Sequence, residues 1–414
     1  MDSIHICGGY PLYGETKVQG SKNAVLPILA ATVLVDGVTT LNNCPDIADV
    51  HCMVRLLESI GCVVEYGGGR IRVDAGHISK TRLPREYVTR MRSSVVMMGA
   101  LLGRMGNVTI SYPGGCVIGK RPIDMHLRAF VGLGIELEEA GDTLTARTKC
   151  LQGGCIPLAF PSVGATENSI LAAVAAQGET QIYNAAREPE IDALCGFLRC
   201  AGADICRKGD GSIICVRGGQ SLHSCCYHIP FDRIVAGTYL LGCMAAGGRI
   251  CLKQADGREL TALAGVLEAM GGRLVYGEDS ITLTAPERAQ AVPCVRTAVY
   301  PGYPTDLQSQ LVAALSLAEG ESIVEETVFE NRFRAVPELV KMGADIRTEG
   351  SRVTVRGVRA LHGSQVRAME LRGGAALCMA ALAAKGESRI MNRHFIDRGY
   401  EALEQDIRNL GGRI

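Results

Sequence analysis

The segment SYPGGCVIGKR, residues 111–121, carries the sequence's most distinctive group of reactive side chains. Gly114, Gly119 and Lys120 fit the first seven positions of the phosphate-binding pattern GxxxxGK[ST], but the eighth position holds Arg121. That position needs a Ser or Thr hydroxyl for the magnesium ion, and a guanidinium group cannot bind a metal. The segment therefore argues against a nucleoside triphosphate loop.

The same segment favours a reactive thiol. Residues 113–115, Pro-Gly-Gly, predict a loop tip that projects Cys116, and Lys120 and Arg121 place positive charge nearby. Neighbouring cations favour the thiolate and make a cysteine reactive. A loop of this kind also suits a lid that closes over a ligand.

Several cations are predicted at helix starts, where the partial positive charge of the backbone disfavours them. The leading positions of predicted helices hold Lys22, Arg92, Arg121, Arg372 and Arg398. A helix start and a cation both attract an anion, so these positions favour phosphate or carboxylate binding. For any one of them, the alternative is a solvated surface charge.

Four other polar residues allow more than one interpretation. Asp232 and Asp306 occupy the corresponding position in two further predicted helices, where an acidic side chain is typical of a helix cap. His126 and His394 lie beside candidate cations. Each histidine could be catalytic or a structural hydrogen-bonding residue.

Composition indicates a folded, soluble protein of two domains. The chain has 414 residues, 47% of them hydrophobic, and 43 Lys plus Arg balance 43 Asp plus Glu. There is no basic run, so neither a nucleic acid nor a membrane surface is expected as a partner. The 17 cysteines include no C-x-x-C pair, which argues against zinc and predicts a reducing, cytoplasmic location.

The elements that position these residues recur as six repeats. Each repeat reads as a helix, a short β-rich run, a second amphipathic helix that ends at a Gly turn, and a closing pair of strands. The turn glycines recur about every 70 residues and are Gly61, Gly134, Gly202, Gly271, Gly343 and Gly411. The pattern predicts an α/β fold.

The sixth repeat lacks its final strand, and the amino terminus offers one in SIHICGG. Residues 1–21 are therefore expected to complete the repeat that residues 372–414 begin. This predicts one domain over residues 22–229 and a discontinuous domain formed by residues 1–21 and 230–414. The cleft between the two domains is the expected ligand site.

Several stretches together resemble the UDP-N-acetylglucosamine enolpyruvyl transferases, of the EPT/RTPC-like enolpyruvyl transferase family, over the full chain. These stretches are GSKNAVLPILAA, PGGCVIGKRPIDMHL, PSVGATEN, NAAREPEI, YPTDLQSQ, VFENRF and FIDRGYEAL. The resemblance implies an inside-out α/β barrel architecture, with two pseudo-symmetric domains of three βαβαββ units each.

The resemblance also implies the reaction. The 3′-hydroxyl of UDP-N-acetylglucosamine attacks C2 of phosphoenolpyruvate while C3 gains a proton, and the tetrahedral ketal then loses phosphate. This is the first committed step of peptidoglycan synthesis, and the family uses neither a metal nor an organic cofactor. A monomer is expected.

Family roles transfer to individual residues of this chain. Cys116 matches the acid that protonates C3 and can attack C2, and Asp306 matches the carboxylate that faces the 3′-hydroxyl. The implied catalytic residues are Cys116, Lys22, Asp306 and Arg398. The implied phosphoenolpyruvate-binding residues are Lys22, Arg92, Arg121, Arg372 and Arg398. The implied UDP-sugar residues are Asn23, Arg92, Arg121, Pro122, Ile123, Asp124, Met125, Ser162, Val163, Gly164, Asp306 and Val328.

One position departs from the pattern, because some relatives have a lysine where this chain has Phe160. The uracil contact is therefore expected to differ in detail.

Two other functions remain as alternatives. One is transfer of the same enolpyruvyl group to shikimate 3-phosphate, against which the Gly-Gly-Cys loop and RPIDMHL speak. The other is a UDP-sugar sensor without turnover.

Overall fold

A computed structural model describes residues 2–113 and 123–414, which divide into two compact lobes. The first lobe comprises residues 20–113 and 123–230. The second lobe comprises residues 2–19 and 231–414. Cys116, Arg121 and Pro122, which the sequence analysis assigns to the site, lie outside the described residues.

The described chain contains both strands and helices. The strands are β1 Ser3–Gly8, β2 Leu12–Lys17, β3 Val38–Asn42, β4 Val63–Gly67, β5 Arg70–Asp74, β6 Asn107–Ser111, β7 Glu136–Ala140, β8 Thr143–Arg147, β9 Cys155–Pro157, β10 Glu179–Tyr183, β11 Asp204–Lys208, β12 Ile213–Arg217, β13 Cys226–His228, β14 Gly248–Lys253, β15 Arg273–Gly277, β16 Ser280–Thr284, β17 Cys294–Arg296, β18 Glu321–Glu325, β19 Asp345–Glu349, β20 Arg352–Arg356, β21 Gln365–Arg367 and β22 Gly386–Met391. The α-helices are α1 Lys22–Ala31, α2 Ala48–Ile60, α3 Arg85–Val88, α4 Met97–Met105, α5 Asp124–Gly132, α6 Val163–Ala175, α7 Pro189–Cys200, α8 Arg233–Ala246, α9 Thr261–Ala269, α10 Gln308–Leu315, α11 Val336–Lys341, α12 Leu371–Ala383 and α13 Leu403–Asn409. Short 3₁₀ helices span Thr32–Leu34, Arg92–Val96, Gly257–Leu260, Thr305–Leu307, Phe333–Ala335 and Arg393–Arg398.

The predicted turn after each second helix is confirmed. All six predicted turn glycines have a positive φ, from 81° at Gly134 to 110° at Gly61. A side chain is disfavoured in this left-handed region, so glycine is the residue that ends these helices and lets the chain enter the next strand.

Three buried helices, α1, α4 and α6, form the centre of the first lobe. They consist mainly of small and apolar residues, most of them buried, which is typical of helices enclosed by protein. Gly99 of α4 lets that helix approach α6, since a Cβ there would lie 2.6 Å from the backbone oxygen of Asn168. The two helices can pack closely because Gly99 has no side chain at their contact.

Sheets surround these helices. In the first lobe the strand orders are β13-β3-β5-β4, β6-β8-β7 and β11-β12-β10-β9. Alternate residues face inward; for example, Leu41 and Ile71 are paired across β3 and β5, and both are fully buried. Helices inside and sheets outside match the inside-out arrangement that the resemblance implies.

The second lobe repeats this plan around α8, α10 and α12, with sheets β15-β16-β14-β2, β17-β18-β20-β19 and β1-β22-β21. Strand β1 pairs antiparallel with β22, in the sheet of the sixth repeat. Strand β2 pairs parallel with β14 in the sheet of the fourth repeat. All of residues 1–21 were predicted to belong to the sixth repeat, but their two strands lie in different sheets.

Candidate functional site

Lys22 is the first residue of α1, as predicted, and it is buried. The Oγ of Ser21 caps this helix by accepting a hydrogen bond from the N–H of Ala24 at 3.3 Å. The Lys22 ammonium lies 2.7 Å from Oδ2 of Asp49, which is buried in α2. A buried charge needs such a partner, because removal from water costs several kcal/mol. The first lobe therefore holds a fixed, paired cation at a helix start.

His126, in α5, is also buried in the first lobe. Its Nδ1 lies 2.7 Å from Nδ2 of Asn168, whose Oδ1 accepts the N–H of Gly99 at 2.8 Å. Because the amide nitrogen donates, Nδ1 accepts and the ring proton lies on Nε2. The structure thus supports the structural interpretation of His126, at a position where its ring touches the first turn of α6 at Gly164.

The described part of the predicted UDP-sugar segment lies at the starts of two helices. Ser162 caps α6 by accepting the N–H of Ala165 at 3.4 Å, and the half-buried Val163 and Gly164 begin that helix. At the start of α5, the buried Ile123 precedes the helix, and the exposed Asp124 and half-buried Met125 are its first two residues. The backbone N–H groups at a helix start are suited to an anionic ligand.

Asp306 lies in an ionic cluster of the second lobe. It lies in the 3₁₀ helix Thr305–Leu307, and Oδ1 accepts Nη2 of Arg332 at 2.5 Å. Oδ2 accepts Nε and Nη2 of Arg372 at 3.3 and 3.1 Å. The capping interpretation is therefore wrong for Asp306, whose carboxylate contacts two arginines. It is correct for Asp232, which caps α8 by accepting two backbone N–H groups.

Arg372 is the second residue of α12 and is 3% exposed. Burial acts to lower its pKa, but the carboxylate of Asp306 and the phenol of Tyr400 raise the pKa above its ordinary value overall. Glu370 caps α12 and accepts the backbone N–H groups of Arg372 and Gly373. The predicted cation near this helix start is thus buried and charged.

Nη1 of Arg372 is a buried donor with no hydrogen-bond partner among the described residues. A buried N–H without an acceptor costs about 1–3 kcal/mol, so native structures rarely leave one unsatisfied. The group therefore points to an acceptor outside the described chain, such as a ligand oxygen.

The other predicted residues are more dispersed. Half-buried Arg92 begins the 3₁₀ helix Arg92–Val96 rather than an α-helix, and half-buried Asn23 lies in α1. Arg398 ends a 3₁₀ helix and α13 begins only at Leu403, so the predicted helix start at Arg398 is wrong. Half-buried Val328 donates its N–H to Oε1 of Glu326 at 2.8 Å.

His394 lies on the surface rather than in a buried cluster. Its Nδ1 lies 3.1 Å from Oδ1 of Asp2, and both side chains are more than half exposed. This hydrogen bond from His394 lowers the pKa of the Asp2 carboxyl. The contact ties the amino-terminal segment to the 3₁₀ helix Arg393–Arg398.

Three residues of these clusters were not predicted from the sequence: Asp49, Arg332 and Glu370. Arg332 belongs to the quoted stretch VFENRF but was not singled out. Asp49 and Lys22 are separated by 26 intervening residues, so no local spacing links them. Only the fold brings these pairs together.

Within the described ranges, no group of three or more His, Cys, Asp or Glu side chains is arranged to hold a metal ion. No helix in the same ranges is long and apolar enough to cross a bilayer.

Comparison with known sequences gives one family over nearly the whole chain. Residues 6–407 match the family model described as EPSP synthase (3-phosphoshikimate 1-carboxyvinyltransferase). A relative from Caldanaerobacter subterraneus, named UDP-N-acetylglucosamine 1-carboxyvinyltransferase 2, is 46% identical over 100% of this chain and 99% of its own. The enzyme named UDP-N-acetylglucosamine 1-carboxyvinyltransferase from Acinetobacter baylyi is 41% identical with the same coverage.

Solved structures give the same fold. The enolpyruvyl transferase NikO from Streptomyces tendae matches with a TM-score of 0.90 and 25% identity, over 99% of this chain and 97% of its own. EPSP synthase from Acinetobacter baumannii matches with a TM-score of 0.76 and 17% identity, with the same coverage, and supports the fold alone. The predicted inside-out α/β class is confirmed.

Proposed function

The chain belongs to the EPSP synthase (3-phosphoshikimate 1-carboxyvinyltransferase) family, and from this premise we propose that it transfers the enolpyruvyl group of phosphoenolpyruvate to the 3′-hydroxyl of UDP-N-acetylglucosamine. The observation that carries the choice of acceptor is the full-length 46% identity to a relative named for that reaction. The product would enter peptidoglycan synthesis. The cytoplasmic location and the monomeric state stay predictions.

Asp306 is the proposed general base for the 3′-hydroxyl. Two arginines against its carboxylate favour the ionised form, which is the form that can accept a proton. The Asp306 side chain is 28% exposed, so the hydroxyl of the sugar could reach its carboxylate.

Binding of phosphoenolpyruvate is proposed to use the five predicted cations. Lys22, Arg121 and Arg398 would hold the phosphate, and Arg92 and Arg372 would steady the carboxylate. The available Nη1 of Arg372 supports this assignment, because a carboxylate oxygen is the acceptor that this donor lacks. These contacts would offset the negative charge of the substrate and of the departing phosphate.

Cys116 is proposed as the acid that protonates C3 and as a nucleophile that can attack C2. A thiol can do both, since the protonated group donates and the thiolate attacks. The proposed UDP-sugar contacts come from Asn23, Arg92, Arg121, Pro122, Ile123, Asp124, Met125, Ser162, Val163, Gly164, Asp306 and Val328. The helix starts of α5 and α6 support the nucleotide part of this assignment.

A phosphate-release assay tests the proposal. Release is expected with both substrates present, and none is expected when either one is omitted. Shikimate 3-phosphate in place of the UDP-sugar should give no release, and release with it instead would establish the other acceptor. Binding of the UDP-sugar without any phosphate release would establish a sensor.

A further inference from the structure

We propose that Asn168 is a positioning residue, whose side-chain amide joins three elements of the first lobe that carry proposed substrate contacts. The inference rests on the proposed function. Asn168 lies in α6, beyond the first turn that begins with Val163 and Gly164. Its side chain is fully buried, so it acts on a ligand only through the elements that it holds.

Two backbone contacts fix the orientation of the Asn168 amide. The N–H of Gly99 can only donate, and it lies 2.8 Å from Oδ1. The backbone oxygen of Val95 can only accept, and it lies 3.0 Å from Nδ2. Both partners belong to one continuous segment, because α4 directly follows the 3₁₀ helix Arg92–Val96. The amide therefore holds α6 against the segment that begins with Arg92.

A third contact of Asn168 holds α5. The amide nitrogen has a second proton, and Nδ1 of His126 lies 2.7 Å from it. The His126 ring also meets the first turn of α6, since a Cβ at Gly164 would lie 3.0 Å from its Cε1. α5 is thus held against α6 at two points, close to the end where Asp124 and Met125 begin the helix.

These contacts matter because the proposed ligand groups lie at the starts of the three elements. The N–H groups of a helix start point in fixed directions, so two helix starts can bind one ligand together only in one mutual position. The proposed catalytic residues Lys22 and Asp306 belong to other elements. Loss of the amide should therefore weaken binding of the UDP-sugar more than it slows turnover.

Asn168→Leu tests this role, since it keeps a side chain of similar size and removes all three hydrogen bonds. The KM of the UDP-sugar is expected to rise about tenfold, while kcat falls less than about threefold. Phosphate release at varied UDP-sugar concentration measures both constants.

His126→Phe should also raise this KM, because the amide then loses its acceptor on α5. It carries the same test if Asn168→Leu does not fold, since it leaves the contacts to Val95 and Gly99 in place. The two changes remove one shared contact, so the double variant should raise KM by less than the product of the single effects. A KM equal to that product would contradict the proposed link between α5 and α6.

Ser169→Ala is the matched control. Ser169 follows Asn168 in α6 and is also fully buried, but its Oγ donates to the backbone oxygen of Ala165 in the same helix, at 2.7 Å. This variant should keep both constants, and an equal rise in its KM would overturn the inference. An Asn168→Leu enzyme that melts earlier with the wild-type KM would show a packing role only and would also overturn it. A wild-type chain that releases no phosphate would overturn the proposed function and the inference together.

Discussion

Arg372 donates two hydrogen bonds to a single oxygen of Asp306, from Nε at 3.3 Å and from Nη2 at 3.1 Å to Oδ2. The other oxygen accepts Nη2 of Arg332 at 2.5 Å. The carboxylate is thus fixed on both sides, and its side chain is 28% exposed. These hydrogen bonds fix the orientation of the carboxylate, and the exposed part of the side chain remains accessible to a substrate hydroxyl.

Asp306→Asn should abolish most of the activity. The amide cannot accept the hydroxyl proton, and the loss of a general base typically lowers kcat by about 10²–10⁴-fold. Phosphate release measures this directly. Asp345→Asn, at an exposed position in β19, is the control and should retain kcat. Near-normal turnover in a folded Asp306→Asn variant would remove Asp306 from the chemistry.

Asp49→Leu should destabilise the protein by about 3–5 kcal/mol, because it removes the carboxylate that pairs with the buried ammonium of Lys22. The double variant Lys22→Met, Asp49→Leu should recover stability, since both charges of this pair are then removed, and should stay inactive. Urea unfolding and phosphate release measure the two effects. A double variant as unstable as the single one would contradict a role for charge in this pair.

Cys116 should react with a phosphonate epoxide such as fosfomycin, fastest with the UDP-sugar bound, because a reactive thiol next to cations attracts an anionic electrophile. Peptide mapping by mass spectrometry locates the adduct, and the other 16 cysteines serve as internal controls. An adduct on another cysteine would defeat the assignment. Cys116→Asp should escape alkylation and retain some turnover, since a carboxylic acid can still donate a proton.

Glu167→Gln should change the pH dependence of stability. Burial, and then the nearby Glu190 and Glu188, raise the pKa of Glu167 well above 4.5. A raised folded-state pKa contributes stability below the unfolded pKa, and this contribution is lost as pH rises through the folded value. Glutamine does not ionise, so the variant's gain in melting temperature over the wild type should be larger at about pH 8 than at about pH 5.

Glu179→Gln, at an exposed position in β10, is the matched control. Its melting temperature should differ from that of the wild type by the same small amount at both pH values. If the difference in melting temperature between Glu167→Gln and the wild type were also independent of pH, the prediction would be wrong. The carboxyl group of Glu167 would then ionise at a pH no higher in the folded chain than in the unfolded chain.

Local patterns were predictable from sequence. The six turns were predictable because each helical pattern ends at a glycine, which tolerates a positive φ. The helix cap at Asp232 was predictable because it accepts N–H groups only two and three residues away. Lys22 and Arg372 were placed correctly in first helical turns because their Ala-rich helices have clear starts.

Long-range relationships were not predictable. The arginines on Asp306 lie 26 and 66 residues further along the chain, and no spacing rule links them. The helix predicted at Arg398 begins only at Leu403, and between them the backbone at Gly399 packs directly against Leu371, where a Cβ would lie 2.8 Å from Leu371 Cδ2. Tertiary contacts determine these positions, and local helix propensity does not predict them.

The pairing of β1 with β22 carries a consequence for biosynthesis. Residues 3–8 leave the ribosome first, but their partner strand, residues 386–391, is made near the end of translation. At typical elongation rates the nascent amino-terminal strand waits on the order of 20 to 80 s for it. The first lobe's chain emerges entirely within that interval. We therefore expect a two-stage order on the ribosome, in which the first lobe folds early and an unpaired β1 strand relies on chaperones until synthesis is nearly complete.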